Sequence, residues 1–184
     1  MGKARFEAFT DAVLAIILTI LVLELHLNQN DHSVKAIITI LPEFLAYAVS
    51  FIVISVMWVN HHYLFLKVKT INHQIIFTNI GLLFIASLLP VTTAWIGSDI
   101  NARVPALLYA INVILYNLAF SALRNEIIKV QTSASHKMTL EIVSACINGA
   151  ALILVFFWPP FVFISLLLDV LLWGIQPIRA MKHV

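Results

Sequence analysis

Charged residues are scarce in this 184-residue chain, where Asp, Glu, Lys and Arg together make up 11%. A soluble domain is about a quarter charged and about half apolar, because its surface must face water. Here 61% of the residues are hydrophobic, and the mean hydropathy is +0.99. The composition excludes a soluble globular domain and predicts an integral membrane protein.

Cysteine occurs once, as Cys146, so the chain can form no intrachain disulfide, and one thiol supplies only one metal ligand. Cys146 lies in an apolar run, and we expect a small buried residue there. The sequence also lacks low-complexity segments, a convincing internal repeat and the pattern of a removable signal peptide. We therefore expect residues 1–184 to form a single transmembrane domain.

Long apolar runs make up most of the chain. A transmembrane helix needs about 20 mostly apolar residues, so six of them would use about 120 residues. We predict an all-α, polytopic membrane protein with six transmembrane helices per subunit. The predicted spans are 9–27, 36–59, 75–96, 104–123, 140–158 and 161–175. The sixth is short and carries Asp169, so the sequence does not define its end.

Prolines and polar segments lie within and between these spans. Pro42 is predicted to lie in the first two turns of the second span, and Pro90 near the far end of the third. A polar segment, Gln131 to Lys137, separates the fourth span from the fifth. Pro159 and Pro160 predict a tight reversal, because neither residue donates a backbone hydrogen bond.

The placement of Lys and Arg predicts orientation, because cytoplasmic loops carry an excess of these residues. With both termini on one side, the smaller group of basic residues consists of Lys35 and Arg103 alone. The larger group consists of Lys3, Arg5, Lys67, Lys69, Arg124, Lys129, Lys137, Arg179 and Lys182. This bias predicts an even number of spans, both termini cytoplasmic, and a multi-pass protein of the cell membrane.

Charged residues open the first span, where each costs about 2.5–3.5 kcal/mol on insertion scales if it is drawn into the bilayer. Asp11 stands directly before an uncharged run that extends to Leu23. Arg5 and Asp11 are nearly two helical turns apart and do not form a close i,i+4 pair. Each is expected to find partners on neighbouring helices, although Arg5 could also be an anchor that reaches the headgroups.

A signature of the form R-x-x-x-F-[ST]-D starts the first helix. It consists of Arg5, Phe9, Thr10 and Asp11. Further matching residues are Trp-Val-Asn-His-His at 58–62, Asn79, and Ser-Leu-Leu-Pro at 87–90. On these residues the sequence resembles the bacterial members of the lysosomal/endosomal potassium channel family. The likeness is close over the first three helices and extends to the others by layout only. Thr10 stands where serine is commoner, and it keeps the hydroxyl.

The resemblance implies six helices per subunit, four subunits around one pore, and a pore lined by the first helix. It also implies a structural polar network that holds the pore helix in place. That network would comprise Arg5, Phe9, Thr10, Asp11, Trp58, His61, His62 and Asn79. Which of the two histidines takes part is left open.

Ile16, Ile20 and Leu23 share one face of the first helix, with Thr19 beside them. From the pattern alone, this face could contact lipid or the protein core. The resemblance instead makes the three apolar residues constrictions that exclude water from the pore. It makes Thr19 a ring of hydroxyls that favours potassium over sodium. The pattern leaves open that the Thr19 hydroxyl bonds to a carbonyl of its own helix.

The predicted function is a homotetrameric, potassium-preferring cation channel with a hydrophobic gate. Potassium ions, the lipid bilayer and other copies of the chain are its expected partners. No enzyme activity, cofactor, bound metal or nucleic acid is expected; adjacent helical residues such as His61 and His62 point about 100° apart. The chain has no TVGYG-like filter and no repeated-arginine voltage sensor, which excludes the familiar six-helix potassium channel plan.

Three other functions are weighed against the channel. A secondary or proton-coupled ion transporter would need an ionisable group near the bilayer midplane and broken helices. An intramembrane enzyme would need a nucleophile and a base at matching depth, or metal ligands. A membrane scaffold needs neither. The sequence assigns no definite role to Asp169, and Glu24 is either an interfacial charge or a site that concentrates cations at the outer mouth.

Overall fold

The computed structural model describes residues 2–27, 29–66, 68–130 and 138–181, with backbone only for residue 138 and residues 175–181. Within these ranges the chain is helical and contains no β-strand, which confirms the all-α prediction. The helices are α1 (Lys3–Leu23), α2 (Val34–Thr39), α3 (Leu41–Phe65), α4 (His73–Ala86), α5 (Leu89–Ser98), α6 (Arg103–Val130), α7 (Met138–Leu154) and α8 (Phe161–Met181). The polar segment at 131–137, together with Lys67 and Lys182, lies outside the described residues.

Four helical segments in the described part of the chain are long and apolar enough to cross a membrane. They are Lys3–Leu23, Leu41–Phe65, His73–Ser98 and Arg103–Val130. The third combines α4 and α5, which meet at residues 87 and 88. Two shorter apolar helices, Thr139–Leu154 and Phe161–Gly174, lie where the fifth and sixth spans were predicted. The helical membrane fold is confirmed, and the count of six spans stays a prediction.

Two prolines begin helices instead of lying inside them. Pro42 occupies the first turn of α3, and residues 34–39 form the separate helix α2. Pro90 occupies the first turn of α5, which divides the predicted third span. A proline ring clashes with the preceding helical turn but fits the first turn, where its missing N–H is not needed. The predicted start of the second span at residue 36 is therefore wrong, while residues 73–98 still form one candidate membrane span.

Several predicted span limits also shift. Helix α1 begins at Lys3, where an i,i+4 ion pair between Lys3 and Glu7 at 3.9 Å spans the first turn, and it ends at Leu23, since residues 25–27 are not helical. Helix α6 continues to Val130, because Arg124 is buried against α7 and does not end the helix. Helix α7 ends at Leu154, and the chain turns through residues 155–160 into α8 as the two prolines predicted.

Buried side chains join the helices around one core. Helix α6 packs against α4, α5 and α7, while α3 packs against α5 and α8. A buried hydroxyl cluster lies at the centre, where Ser50 Oγ is 2.7 Å from Thr93 Oγ1 and 2.6 Å from Tyr109 Oη. These bonds connect α3, α5 and α6 and satisfy all three hydroxyls, as a low-dielectric interior requires.

The outer surface is strongly apolar. Leu23, Phe77 and Phe157 are 73%, 70% and 80% exposed. A surface that faces water rarely exposes so many large apolar side chains together. Such a surface suits lipid or further copies of the chain. Cys146 also lies on this surface, so the expectation of a buried cysteine is wrong. The buried face of α7 is instead set by Ser144, Asn148 and Ala151.

Candidate ion pathway and the polar contacts of the first helix

Helix α1 has one buried face, which fixes it to the rest of the subunit. The buried residues recur at intervals of three or four, as one side of a helix requires: Phe6, Thr10, Leu14, Ile17 and Leu21. This face packs against α3, α4 and α5. Phe6 contacts the Phe65 ring of α3 at a centroid distance of 5.0 Å, which adds an aromatic contact at the end where the chain begins.

The opposite side of α1 carries the residues proposed for an ion pathway, and all of them are exposed. Ile16, Ile20 and Leu23 are 56%, 39% and 73% exposed. The Thr19 hydroxyl donates to Ile16 O at 2.7 Å, which is the own-helix bond that the sequence left open. The threonine oxygen still carries lone pairs that can accept or coordinate. The subunit therefore leaves this apolar stripe and its hydroxyl uncovered.

A buried hydrogen-bond chain links α1 to α3 and α4. Asn79 Nδ2 donates to Thr10 Oγ1 at 2.8 Å, and Thr10 in turn donates to Phe6 O at 3.2 Å. Asn79 Oδ1 lies 3.0 Å from His61 Nε2, and because a carbonyl oxygen only accepts, His61 Nε2 is the donor in this arrangement. Thr10, His61 and Asn79 are 0%, 3% and 1% exposed. Hydrogen bonds between three buried side chains thus join three helices.

A second polar contact joins α1 to α3 nearer the surface. Trp58 Nε1 donates to Asp11 Oδ1 at 2.8 Å. His62 stacks on the Trp58 indole, with ring centroids 6.2 Å apart, and makes no hydrogen bond in the described part of the chain. Of the two histidines, His61 is the one that enters the polar chain, and it also stacks on Phe65 at 4.6 Å.

Two signature residues lie apart from these contacts. Arg5 is exposed and forms no hydrogen bond or ion pair with any residue that the structure describes. Phe9 is 51% exposed, on the same side of α1 as Ile16 and Ile20. Of the eight residues in the predicted network, the subunit therefore brings six into contact and leaves Arg5 and Phe9 at its surface.

Acidic groups lie where α1 ends. Glu24 caps the helix, and His26 N donates to Glu43 Oε2 at 3.4 Å. In the loop before α2, hydrogen bonds from the Ser33 side chain and backbone N–H hold the pKa of Asp31 below its usual range. The loop therefore keeps a negative charge at neutral pH.

A second polar cluster, which sequence reasoning did not assemble, lies between α6, α7 and α8. Asp169 Oδ2 accepts hydrogen bonds from Asn117 and Asn148. The Arg124 guanidinium pairs with Glu141 and lies over the Phe120 and Trp173 rings, 5.1 and 4.8 Å from their centroids. The sequence did contain a signal for this cluster, because polar residues recur at helical spacing within apolar runs. They stand at positions 117 and 124, and at 141, 144 and 148.

Metal-binding geometry is absent from the part of the chain that the structure describes. No group of three or more His, Cys, Asp or Glu side chains comes together in that part. His61 and His62 point into different surroundings, one buried and one exposed. The arrangement can hold a helix in place and can present an apolar face, and neither task needs a cofactor.

Comparison with known proteins identifies the relatives of this chain. A family model described as the endosomal/lysosomal potassium channel TMEM175 matches residues 5–90. A potassium channel of Chryseobacterium sp. (strain P1-3) is 39% identical over 188 residues, which cover 99% of this chain and 97% of that protein. The endosomal/lysosomal proton channel TMEM175 of Danio rerio is 37% identical over 100 residues, covering 48% of this chain and 19% of that one.

A solved structure shares the fold. The crystal structure of a lysosomal potassium-selective channel TMEM175 homolog from Chamaesiphon minutus superposes with a TM-score of 0.75. The two chains are 27% identical, and the match covers 95% of this chain and 97% of the other. On similarity that extends over nearly its whole length, the chain belongs to the TMEM175 potassium channel family.

Proposed function

We propose that this chain is the subunit of a homotetrameric, potassium-preferring cation channel of the cell membrane. The observation that carries the proposal is the 39% identity, over nearly the full length of both chains, to a bacterial protein named as a potassium channel. The family is one of ion channels, so the chain is not an enzyme. Residues 1–184 would form one domain, with α1, α3, α4–α5, α6, α7 and α8 as six spans and both termini cytoplasmic.

In this proposal α1 lines the central pore. Its buried face is already used to attach it to α3, α4 and α5, and the opposite face, with Ile16, Ile20 and Leu23, is free to meet three other copies. The described helices of one subunit pack around a shared core, which supports a pore formed between subunits.

The gate would be the apolar stripe itself. A constriction lined by four isoleucine or leucine side chains expels water. An ion cannot cross it, because it would have to give up its hydration shell there. A modest widening would admit water and let potassium pass partly hydrated. Thr19 donates its hydrogen to its own helix, so four oxygens with free lone pairs would face the ion. Such a ring offers fewer ligands than stacked carbonyls, and weaker selectivity is expected.

The signature network would hold α1 at the right distance from the pore axis. The Thr10–Asn79–His61 chain and the Asp11–Trp58 bond attach α1 to the helices behind it. Arg5 and Phe9, exposed in the single subunit, would complete the network with a neighbouring copy or with lipid headgroups.

Potassium flux through liposomes containing the purified protein tests the proposal. Ile16→Asn should raise flux by making the constriction wettable, and Thr19→Ala should reduce the preference for potassium over sodium. Ile142→Asn on α7, at a residue that is also 56% exposed, is the matched control, as is Thr78→Ala, whose hydroxyl also bonds its own helix. The controls should leave flux and selectivity unchanged. A folded tetramer with no flux under any ion gradient would refute the channel.

A secondary or proton-coupled ion transporter is the second candidate. It is favoured by the interruption of the third span at residues 87–88 and by the buried carboxylate of Asp169. A channel lets ions move only down their gradient, whereas a transporter couples two fluxes. Uphill potassium movement driven by a proton gradient, lost in Asp169→Asn, would support the transporter over the channel.

A further inference from the structure

The third membrane span is interrupted where α4 meets α5, and one turn of the helix is left open there. Pro90 has no N–H, and its ring crowds the turn that precedes it. The Leu88 N–H donates at 3.2 Å to Ile85 O, which in a regular α-helix would accept from the Leu89 N–H. Leu89 is 1% exposed, so its N–H needs a partner from another part of the protein.

The side-chain amide of Asn112 on α6 closes this open turn. In the orientation that pairs both of its ends, Nδ2 donates to Ile85 O at 3.1 Å and Oδ1 accepts from Leu89 N at 3.2 Å. The Thr92 hydroxyl lies 3.1 Å from the same Oδ1. The opposite orientation would set oxygen against oxygen and N–H against N–H. Asn112 therefore replaces, from a different helix, the hydrogen bond that α4 and α5 do not make with each other.

Helix α1 and the third span run in the same direction, because both are antiparallel to α3. At the beginning of α1, Phe6 contacts Phe65, the last residue of α3. Beyond the end of α1, His26 N donates to Glu43 in the first turn of α3. Gly97, near the end of α5, lies so close to Glu43 that an added Cβ would stand 3.0 Å from Glu43 Cα. Helices α1 and α5 therefore both end beside the start of α3.

The open turn lies at the level of the apolar stripe on α1. The bond between Thr10 and Asn79 sets the two parallel segments at the same height. Ten residues separate Thr10 from Ile20, and ten separate Asn79 from Leu89. Each interval is roughly 15 Å at the rise of an α-helix. Helix α4 thus anchors the first half of α1, and α5, which also packs against α1, supports the second half.

We propose that Asn112 is a positioning residue for the ion pathway. By bridging Ile85 O and the Leu89 N–H, it fixes the junction of α4 and α5, and through α5 it holds the second half of α1 at the constriction. Without the bridge the junction loosens, the apolar stripes of four subunits spread, and water enters. The inference rests on the proposed function, because it requires α1 to line the pore.

A double-mutant cycle, measured as equilibrium unfolding in bicelles, tests the bridge. Asn112→Leu leaves a buried carbonyl and a buried N–H unpaired, and it should shift the unfolding equilibrium by about 10-fold or more. Pro90→Ala restores a backbone N–H and removes the ring, so that α4 and α5 can pair with each other. In that background Asn112→Leu should shift the equilibrium by less than about 3-fold, because the two positions are coupled.

Asn117→Leu is the matched control for this cycle. Asn117 also lies on α6, but its amide donates to Asp169 at 3.3 Å, away from the junction. Its effect on unfolding should be the same with and without Pro90→Ala, within about 2-fold.

Single-channel recording in planar bilayers tests the connection with the ion pathway. A variant that merely folds less well forms fewer channels, but each of them behaves like the parent channel. Asn112→Leu should instead raise the ratio of open to closed time of each channel about 10-fold, the factor that corresponds to one buried hydrogen bond. Adding Pro90→Ala should return the ratio toward that of the parent, and Asn117→Leu should leave it unchanged.

Additive effects of Asn112→Leu and Pro90→Ala on unfolding would overturn the proposal. An unchanged or lower ratio of open to closed time in folded Asn112→Leu would overturn it as well. If Asn112→Leu alone does not fold, recovery of a folded channel in the double variant supports the bridge, and failure to recover it refutes the bridge. A folded parent that carries no current would refute the proposed function, while the unfolding cycle would still decide whether Asn112 closes the open turn.

Discussion

Replacing Asn79 by leucine tests whether the buried hydrogen-bond chain fixes α1. Leucine has the same number and branching of heavy atoms as asparagine but can neither donate nor accept a hydrogen bond. The change removes the 2.8 Å bond to Thr10 and the 3.0 Å bond from His61. It also leaves the His61 N–H unpaired at a position that is 3% exposed. Two hydrogen bonds at roughly 0.6 kcal/mol each in a membrane, and about 1–3 kcal/mol for the unpaired donor, predict a loss of about 2–4 kcal/mol.

The part that belongs to the contact itself is measured with a double-mutant cycle. Thr10→Val and Asn79→Leu, alone and together, should show a coupling free energy of about 0.6–1.7 kcal/mol in equilibrium unfolding in bicelles. Thr10→Ser keeps the hydroxyl and should preserve the coupling. As a control, Thr10→Val should be additive with Ser98→Ala, whose hydroxyl bonds its own helix at the far end of the third span.

One outcome of the cycle decides whether Thr10 and Asn79 act together. If Thr10→Val and Asn79→Leu are additive within about 0.3 kcal/mol while the control pair is also additive, the two side chains do not act together. The polar chain would then be a consequence of packing and not a cause of it. A destabilisation by Asn79→Leu of less than about 0.5 kcal/mol would refute the magnitude as well.

Three more substitutions follow from single contacts, each measured as the free energy of unfolding in bicelles. Glu141→Gln should cost about 3–5 kcal/mol because it leaves the buried Arg124 charge unpaired, and adding Arg124→Met should restore much of it; no recovery would contradict an ion pair. Trp58→Phe should cost only about 0.5–1.5 kcal/mol, since its bond to Asp11 lies at the surface, and a larger loss would contradict that placement. Tyr109→Phe should cost about 1 kcal/mol, because the serine and threonine hydroxyls beside it remain bonded to each other; a cost near 3 kcal/mol would mean that they do not.

Much of the fold was accessible from hydropathy, because a lipid-facing helix must be apolar on its outside as well as in its core. The positions of the apolar helices followed from that rule. The ends of the helices did not follow from it, because a charged residue can lie within a helix when a neighbouring helix supplies its partner. Arg124 shows this most clearly: it suggested the end of a span, yet it is buried and paired with Glu141 on the next helix.

The sequence predicted only part of the candidate ion pathway and its polar contacts. Spacing along α1 placed Ile16, Ile20 and Leu23 on one face, and the subunit leaves that face exposed. Spacing could not divide the histidine pair, because both residues lie on the same turn of one helix. Only the position of Asn79 on α4 selects His61. Only the packing of α6, α7 and α8 brings Asp169 to Asn117 and Asn148.

The sequence by itself determined that the chain is an apolar helical protein of the membrane, because hydropathy and helical period are properties of neighbouring residues. Residues in its first three predicted spans resembled the family, and similarity over nearly the whole chain confirms that family. The tertiary structure decided which polar residues meet, because hydrogen bonds between helices join residues as far apart as Thr10 and Asn79. In an interior without water each such group must find a partner, and only the packing of the whole chain decides which one.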